Sequence, residues 1–458
     1  MRPLGRARDW LTIGFCLALS VGCQRGAVRA GQELAAGQSV YAAQYRHADY
    51  RPADPAIELQ GPHPVEFYVE HALANNPAIQ AAAFDLDAAR YRVPQVTSLE
   101  DPMLEAKGYP FFPNVPQTAA GRVTGGLGVS QKVPWPGKLG LQGEIACQDA
   151  RVAEAQLAAT RLEVTEQVKR AYYEIYYVER AIAITEDNRK VLDELARIAE
   201  VQYRVKKVSQ QDVLRAQVEL ANVDADLIRL RQELPSSQAR LARLLHVSPN
   251  TDVRAEQQIA EADLALELDR LYEVAVGARP ELQAQLHTVV REQRTIDLAQ
   301  LQYFPDVTFG VDWMEMTKHK ALAPTADGLD DVGLNLSLNI PIYYRRLGAA
   351  VREAEARSVA AARRYDSERD QTLEMVKDLF VQAQSQRELI RLFSETILPR
   401  AQQTLQVSMA GYQTGQVDFL QLLNNWQEVL KVQLMLERQR SQFQQTLSSL
   451  QRVVGGNL

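Results

Sequence analysis

Gly126-Leu-Gly-Val-Ser-Gln-Lys-Val-Pro134 returns as Gly333-Leu-Asn-Leu-Ser-Leu-Asn-Ile-Pro341, and each copy stands just before a very long, proline-poor run of helical character. The flanks repeat too. Asn76-Pro77-Ala-Ile-Gln-Ala opens the first half and Arg279-Pro280-Glu-Leu-Gln-Ala the second, while Tyr203…Ser209…Val213-Leu214 is echoed by Tyr412…Asp418…Leu422-Leu423. Internal repeats report repeated supersecondary units, so a doubled strand–strand–helix–helix unit is a statement about fold. In the second copy Val332, Leu334, Leu336, Leu338 and Ile340 alternate with Gly333, Asn335, Ser337 and Asn339. The preceding strand sets Val307, Phe309, Val311 and Trp313 against Thr308, Gly310 and Asp312. Period two places the apolar side chains on one face and the small or polar ones on the other. Such strands suit the ~9–11 residues that cross a bilayer at a tilt, with lipid on the Leu/Val face and a watery lumen on the Asn/Ser/Gly face. A half-buried strand of a soluble sandwich alternates identically. The helices attached to each hairpin decide for the membrane.

Those helices are expected over about 139–206 and 347–412, each roughly 100 Å long at ~1.5 Å per residue. In the first, Ala146, Ala150, Ala153, Leu157, Thr160, Val164, Val168, Ala171, Ile175, Val178 and Ile182 recur at threes and fours. Val376, Leu379, Ala383, Ile390, Phe393 and Ile397 keep the same beat in the second. A narrow seam of this kind packs helix on helix in a supercoil, and the extra four-residue step from Val164 to Val168 locally unwinds it. Shorter return helices come next, over about 209–246 and 418–452. Strands are expected over about 103–108, 123–133, 305–314 and 332–341. Helices over 64–76 and 78–95 break at Asn75-Asn76-Pro77, with Pro94 and Pro102 closing the segment. Tyr109-Pro-Phe-Phe-Pro-Asn-Val-Pro116 is a turn-rich loop.

The 458 residues are 46% hydrophobic and 24% charged, which excludes wholesale disorder. A net charge of −6 offers no footprint for nucleic acid. Arg2, Arg6 and Arg8 before the apolar residues 10–21 form an export signal. It ends at Leu19-Ser-Val-Gly-Cys23, which resembles a bacterial lipoprotein cleavage box, with Cys23 the residue that would be lipidated; ordinary signal cleavage is the alternative. Residues 1–23 are thus a signal peptide and 24–62 an extended leader, followed by repeats over 63–264 and 265–458. Cys16 and Cys23 belong to the signal, leaving Cys147 alone, so there is no disulfide framework. Cys147 reads as a small packing residue.

The doubled layout resembles the TolC-type outer membrane efflux channels over essentially the whole mature chain. The resemblance is carried by the Asn-Pro and Arg-Pro breaks, Val129-Ser-Gln-Lys-Val-Pro-Trp-Pro-Gly-Lys138, Tyr203-Arg-Val-Lys-Lys-Val-Ser209 with Asp212-Val-Leu214, and Tyr412-Gln-Thr-Gly-Gln-Val-Asp-Phe-Leu420. It implies a mixed α and β membrane protein acting as a homotrimer. Each subunit gives four strands to a twelve-stranded transmembrane barrel and its antiparallel coiled-coil helices to a periplasmic α-barrel. Four strands alone cannot close, and open edges cannot face lipid. The implied role is the exit duct of a tripartite efflux system, set in outer membrane lipid. It would work with a periplasmic adaptor and an inner-membrane transporter, and conduct metal ions or drugs.

In that family the two helix–turn–helix tips face the adaptor. The matching residues are Val205, Lys206, Lys207, Val208 and Ser209 in the first tip, and Thr414, Gly415, Gln416 and Val417 in the second. A solvated turn, with Ser209 or Asp418 capping the next helix, is the simpler reading of both. Lys206 stands where a Gly is usual. The family's periplasmic aperture is lined by acids early in the last helix; here those positions hold Gln421 and Asn424, leaving Asp418 as the nearest carboxylate, so an amide ring or another constriction is expected. Gln131-Lys-Val-Pro-Trp-Pro-Gly-Lys138 looks most like the heavy-metal branch, and Met314, Met316 and His319 are the soft ligands at hand, without closed-site spacing. An enzyme is not expected, since phosphate loop, zinc-protease and nucleophile-elbow motifs are missing, and no cofactor is implied. The rival class is a periplasmic coiled-coil adaptor or scaffold, which would show one hairpin flanked by small β-domains.

Overall fold

Four strands form one antiparallel sheet in the order β2-β3-β5-β6: β2 is Met103–Gly108, β3 Arg122–Val133, β5 Val307–Thr317 and β6 Asp331–Leu338. A second pairing, short and parallel, joins β1 (Gly61–His63) to β4 (Val253–Ala255). The computed structural model describes Leu59 and residues 61–109, 116–259 and 267–456. The signal, Cys23, most of the leader and the centre of the turn-rich loop lie outside the described residues.

The register sorts the side chains as the alternation requires. Val311 lies opposite both Val129 and Leu334, and Asp312 opposite both Gly128 and Gly333. One face therefore carries Leu104, Val129, Val311 and Leu334 in a row; the other carries Glu105, Gly128, Asp312 and Gly333. Gly333 leaves room for its neighbour: a Cβ there would sit 2.8 Å from an Asp312 carboxylate oxygen, so that side chain would have to shift. The apolar row is open, with Leu334 84% and Leu104 73% exposed. Among the described residues β2 and β6 each have a single neighbour, so both outer edges leave backbone donors and acceptors unpaired there. β6 ends at Leu338, three residues before the expected limit, because Asn339 turns its Oδ1 to accept from the Asp306 amide. β5 runs on to Thr317, where it still pairs with Arg122.

The helices are α1 (Val65–Asn75), α2 (Pro77–Thr97), α3 (Lys138–Arg204), α4 (Gln210–Leu244), α5 (Leu268–Ala278), α6 (Pro280–Leu301), α7 (Tyr344–Leu392), α8 (Leu398–Thr414) and α9 (Phe419–Val454). At 67 residues, α3 covers about 100 Å. It packs along α1, α2, α4, α6 and α9, while α7 packs on α5, α6 and α9. Of the expected seam of α3, Ala146, Leu157, Val164, Val168, Ile175 and Val178 are in the core, while Ala150, Ala153, Thr160, Ala171 and Ile182 are only half-buried. Pro77 and Pro280 open α2 and α6, where a missing N–H is harmless. Asn76 secures the first break: its side chain accepts from the Ala78 amide at 2.9 Å and donates to the Leu244 carbonyl at 2.8 Å.

Three expectations need correction. Pro94 does not close its helix; α2 continues to Thr97, and Ser98 donates to the Pro94 carbonyl at 2.6 Å. The carbonyl that Pro94 leaves unpaired lies on an exposed turn, where water can take it. Cys147 is exposed rather than a packing residue, because the buried seam position is its neighbour Ala146. Finally, the second long helix is not continuous α: a π-helical segment, Phe393–Ile397, separates α7 from α8. Pro399, in the first turn of α8, has no N–H for the residue four back and its ring would strike that carbonyl; the wider π turn removes the clash.

Candidate functional site

Both tips have the same backbone. At the end of α3 the Lys206 amide donates to the Tyr203 carbonyl and the Lys207 amide to the Gln202 carbonyl, each at 2.9 Å. At the end of α8 the Gly415 amide donates to Tyr412 at 3.2 Å and the Gln416 amide to Gly411 at 2.8 Å. This is the Schellman pattern, in which the residue past the cap adopts a left-handed conformation. That seat holds Lys206 at φ 60° in the first tip and Gly415 at φ 80° in the second.

The two chains leave their turns differently. Asp418 Oδ1 accepts from the Gln421 amide at 2.7 Å and so caps α9. Ser209 occupies the matching place before α4 without a side-chain cap bond, so the capping expectation holds for Asp418 alone.

The two turns rest on one core. Leu192, Leu195 and Ala199 of α3, Ala216 and Val223 of α4, Leu405 and Tyr412 of α8, and Phe419, Leu422, Leu423, Trp426 and Val429 of α9 form a single cluster, with Val208 packed on it. Trp426 Nε1 donates to the Asn188 carbonyl at 3.2 Å, and Gln202 reaches across to the Tyr412 carbonyl at 3.4 Å. Burial, with the Asp212 carboxylate adding to it, pushes the Tyr412 phenol up to about 12. The rim is solvated: Val205, Lys206, Lys207, Ser209, Thr414, Gly415 and Gln416 are exposed, and Val208 and Val417 half-buried. Gln421 and Asn424 are both exposed while Leu422 and Leu423 are buried, so the two amides share the outer face of α9 with Leu420 and Asp418.

At the other end of α3 the sheet is fastened to the helices. Lys138 Nζ donates to Asp306 Oδ1 at 2.7 Å and to the Phe304 carbonyl at 3.0 Å, and the Trp135 amide donates to the same carboxylate at 3.1 Å. Trp135 stacks on Phe304 with centroids 5.0 Å apart. Burial opposes ionisation of Asp306, yet the Lys138 ammonium and the Trp135 amide outweigh it and hold the carboxyl below the ordinary range.

A second polar chain crosses the helices. Arg279 bonds Glu281 at 3.3 Å, Glu368 at 3.2 Å and the Thr372 hydroxyl, while Arg452 bonds Glu166 at 3.0 Å. These groups were not legible as partners, because periodicity marks faces and not which charges meet. A lone Asp306 between Pro305 and β5, the strand that pairs with the one leading to Lys138, is the signal that was there to be read.

The soft-ligand residues do not converge. Met316 is buried and accepts from the Thr118 hydroxyl at 3.2 Å, Met314 is half-buried on the polar face of the sheet, and His319 is exposed. Among the described residues no group of three or more His, Cys, Asp or Glu is placed to hold a metal. No helix among them is long and apolar enough to cross a membrane.

A doubled hairpin sheet carried on long paired helices defines the class: the outer membrane efflux protein family model matches residues 68–246 and again 271–456, and the chain belongs to that family. It is an efflux-channel family rather than one of enzymes. Among curated proteins the chain is 21% identical over 408 residues to the cobalt-zinc-cadmium resistance protein CzcC of Cupriavidus metallidurans, covering 87% of this chain and 91% of that one. Among solved structures, the outer membrane protein VceC of Vibrio cholerae superposes with a TM-score of 0.73 at 20% identity, over 86% of this chain and 96% of that one. CusC superposes with a TM-score of 0.73 at 19% identity, over 87% and 94%. The MtrE outer membrane channel of Neisseria gonorrhoeae gives 0.69 at 16%, over 86% and 89%. At these identities the likeness is one of fold.

Proposed function

We propose that three copies of this chain close a twelve-stranded β-barrel in the bacterial outer membrane, while their helices join into a periplasmic tunnel. The assembly is the exit duct of a tripartite efflux system, passively conducting metal ions or drugs delivered by an inner-membrane transporter through a periplasmic adaptor. The observation that carries this reading is the four-stranded sheet. Its apolar row is exposed and both of its edges are open; an open edge in hydrocarbon is untenable, and ring closure with further copies removes it. The likeness to CzcC favours metal cations as cargo. The tips at 205–209 and 414–417 dock the adaptor, Gln421, Asn424 and Asp418 line the periplasmic aperture, and Cys23 carries a lipid anchor. Residues 63–264 and 265–458 are the two repeats. Native mass spectrometry of the detergent-extracted protein tests the assembly: a mass of three chains is expected, and a monomer alone overturns it.

A further inference from the structure

We propose that the first tip, residues 203–209, is an electrostatic docking face for a partner helix carrying acidic side chains, and that Lys206 and Lys207 supply the charge it reads. This rests on the adaptor-docking reading above and concerns what the partner's surface is made of.

The argument starts from the two equal turns. A left-handed seat crowds the Cβ of any L-residue and leaves glycine free. The second tip fills it with Gly415, the first with Lys206, at nearly the same φ and with the same pair of backbone hydrogen bonds. A turn that glycine makes without strain is therefore made with a charged side chain instead. His246 and Lys320 are left-handed as well, so what sets Lys206 apart is its place on the tip and the lack of any internal use for its charge. Nothing inside the fold uses it: among the described residues the Lys206 and Lys207 ammoniums make no ion pair or side-chain hydrogen bond, whereas Arg204 is committed to Glu200 at 2.6 Å. Both lysines are exposed.

Beside them, Val201 and Val205 lie four apart on one helix face and are 61% and 59% exposed. An apolar strip rimmed by uncommitted ammoniums fits a helix that presents apolar knobs flanked by Asp or Glu. The second tip has none of this chemistry, since Gln413, Thr414, Gly415 and Gln416 are uncharged. On a chain of net charge −6, a basic tip also orients an acidic partner during approach.

The test uses the full-length protein in its own cell envelope, with the photo-cross-linker p-benzoylphenylalanine at Val205 or, separately, at Thr414, and sequencing of the captured peptide. From Val205 a peptide with an excess of Asp and Glu is expected. Its yield should fall about tenfold in Lys206→Glu/Lys207→Glu and about threefold in Lys206→Gly, and hold in Lys206→Arg, as for a few exposed ion pairs. Lys206→Gly should not lower the heat stability of the assembly, which separates lost charge from lost folding. Yields that ignore both charge variants, or a captured peptide without acidic excess, overturn the inference and leave docking standing. No cross-link from either tip overturns the docking reading and this inference with it.

Discussion

Leu336 and Asn335 are adjacent on β6 and point to opposite faces, so a charge placed at each asks whether one face meets lipid. Leu336 lies opposite Phe309 in the apolar row and is 64% exposed. Asn335 lies opposite Gly310 and donates to the Asp312 carboxylate. Leu336→Arg puts a guanidinium into hydrocarbon at about 2–4 kcal/mol per subunit near mid-bilayer. Three symmetric copies raise that to roughly 6–12 kcal/mol, more than the ~5–15 kcal/mol stability of many proteins can spare. Asn335→Arg places the same group on the polar face beside Asp312, where water and a carboxylate receive it. The assay is the temperature at which the assembled form collapses to monomer in unboiled gels, read with recovery in the outer membrane fraction. Leu336→Arg should abolish or sharply reduce assembly, and Asn335→Arg should assemble within about 1 kcal/mol of the parent, as for an ordinary surface change. Equal effects from the two substitutions would refute the facing of the sheet.

Three further outcomes come from the geometry. Lys138→Met strands Asp306 in a site where the two side chains are 5% and 14% exposed, and should cost about 3–5 kcal/mol in heat or urea stability, with Lys138→Met/Asp306→Leu recovering most of it; a single variant within ~1 kcal/mol of the parent contradicts the joint. Glu179 is pushed up from the ordinary 4.5 to about 7, chiefly by burial, against the Ala255 amide and the Arg254 charge. Between those values the folded chain holds a proton that the unfolded chain releases, so this residue's contribution is fully present below about 4.5 and lost as pH rises through 7. Glu179→Gln should therefore raise Tm at pH 8 more than at pH 5, and a uniform shift rejects the assignment. Gln421→Ala/Asn424→Ala should raise single-channel conductance in planar bilayers with assembly unchanged; parental conductance moves the constriction elsewhere, to Asp418 first.

Much of the fold was legible because alternating strands and paired helices obey strict periods. Val311 and Asp312 fall on opposite faces by alternation alone, and Val164, Val168 and Ile175 fall in the core by their spacing. The tips were legible as turns because Ser209 and Asp418 follow Tyr203 and Tyr412 at the same spacing of six residues in both copies. Hidden from the sequence was whatever depends on which residues meet. Both prolines stand on exposed turns, yet Pro94 is absorbed within α2 while a π segment precedes Pro399, a difference that no local pattern encodes. Lys138 finds Asp306, and Arg452 finds Glu166, across separations of 168 and 286 residues that no local pattern encodes. Lys206 was visible as a departure from glycine, but its left-handed backbone and its lack of an internal partner needed coordinates.

The central claim is that the open edge of β6 in one subunit pairs with the open edge of β2 in the next, and that three such joints close the ring. Cysteine pairs across that joint test it directly: Leu104→Cys combined in turn with Val332→Cys, Leu334→Cys and Leu336→Cys, in a Cys147→Ser background, oxidised in the membrane and run on denaturing gels. The account expects at least one register to give covalent dimers and trimers and nothing larger, collapsing to monomer on reduction. Monomer throughout the panel, or a ladder that continues past three, would contradict it.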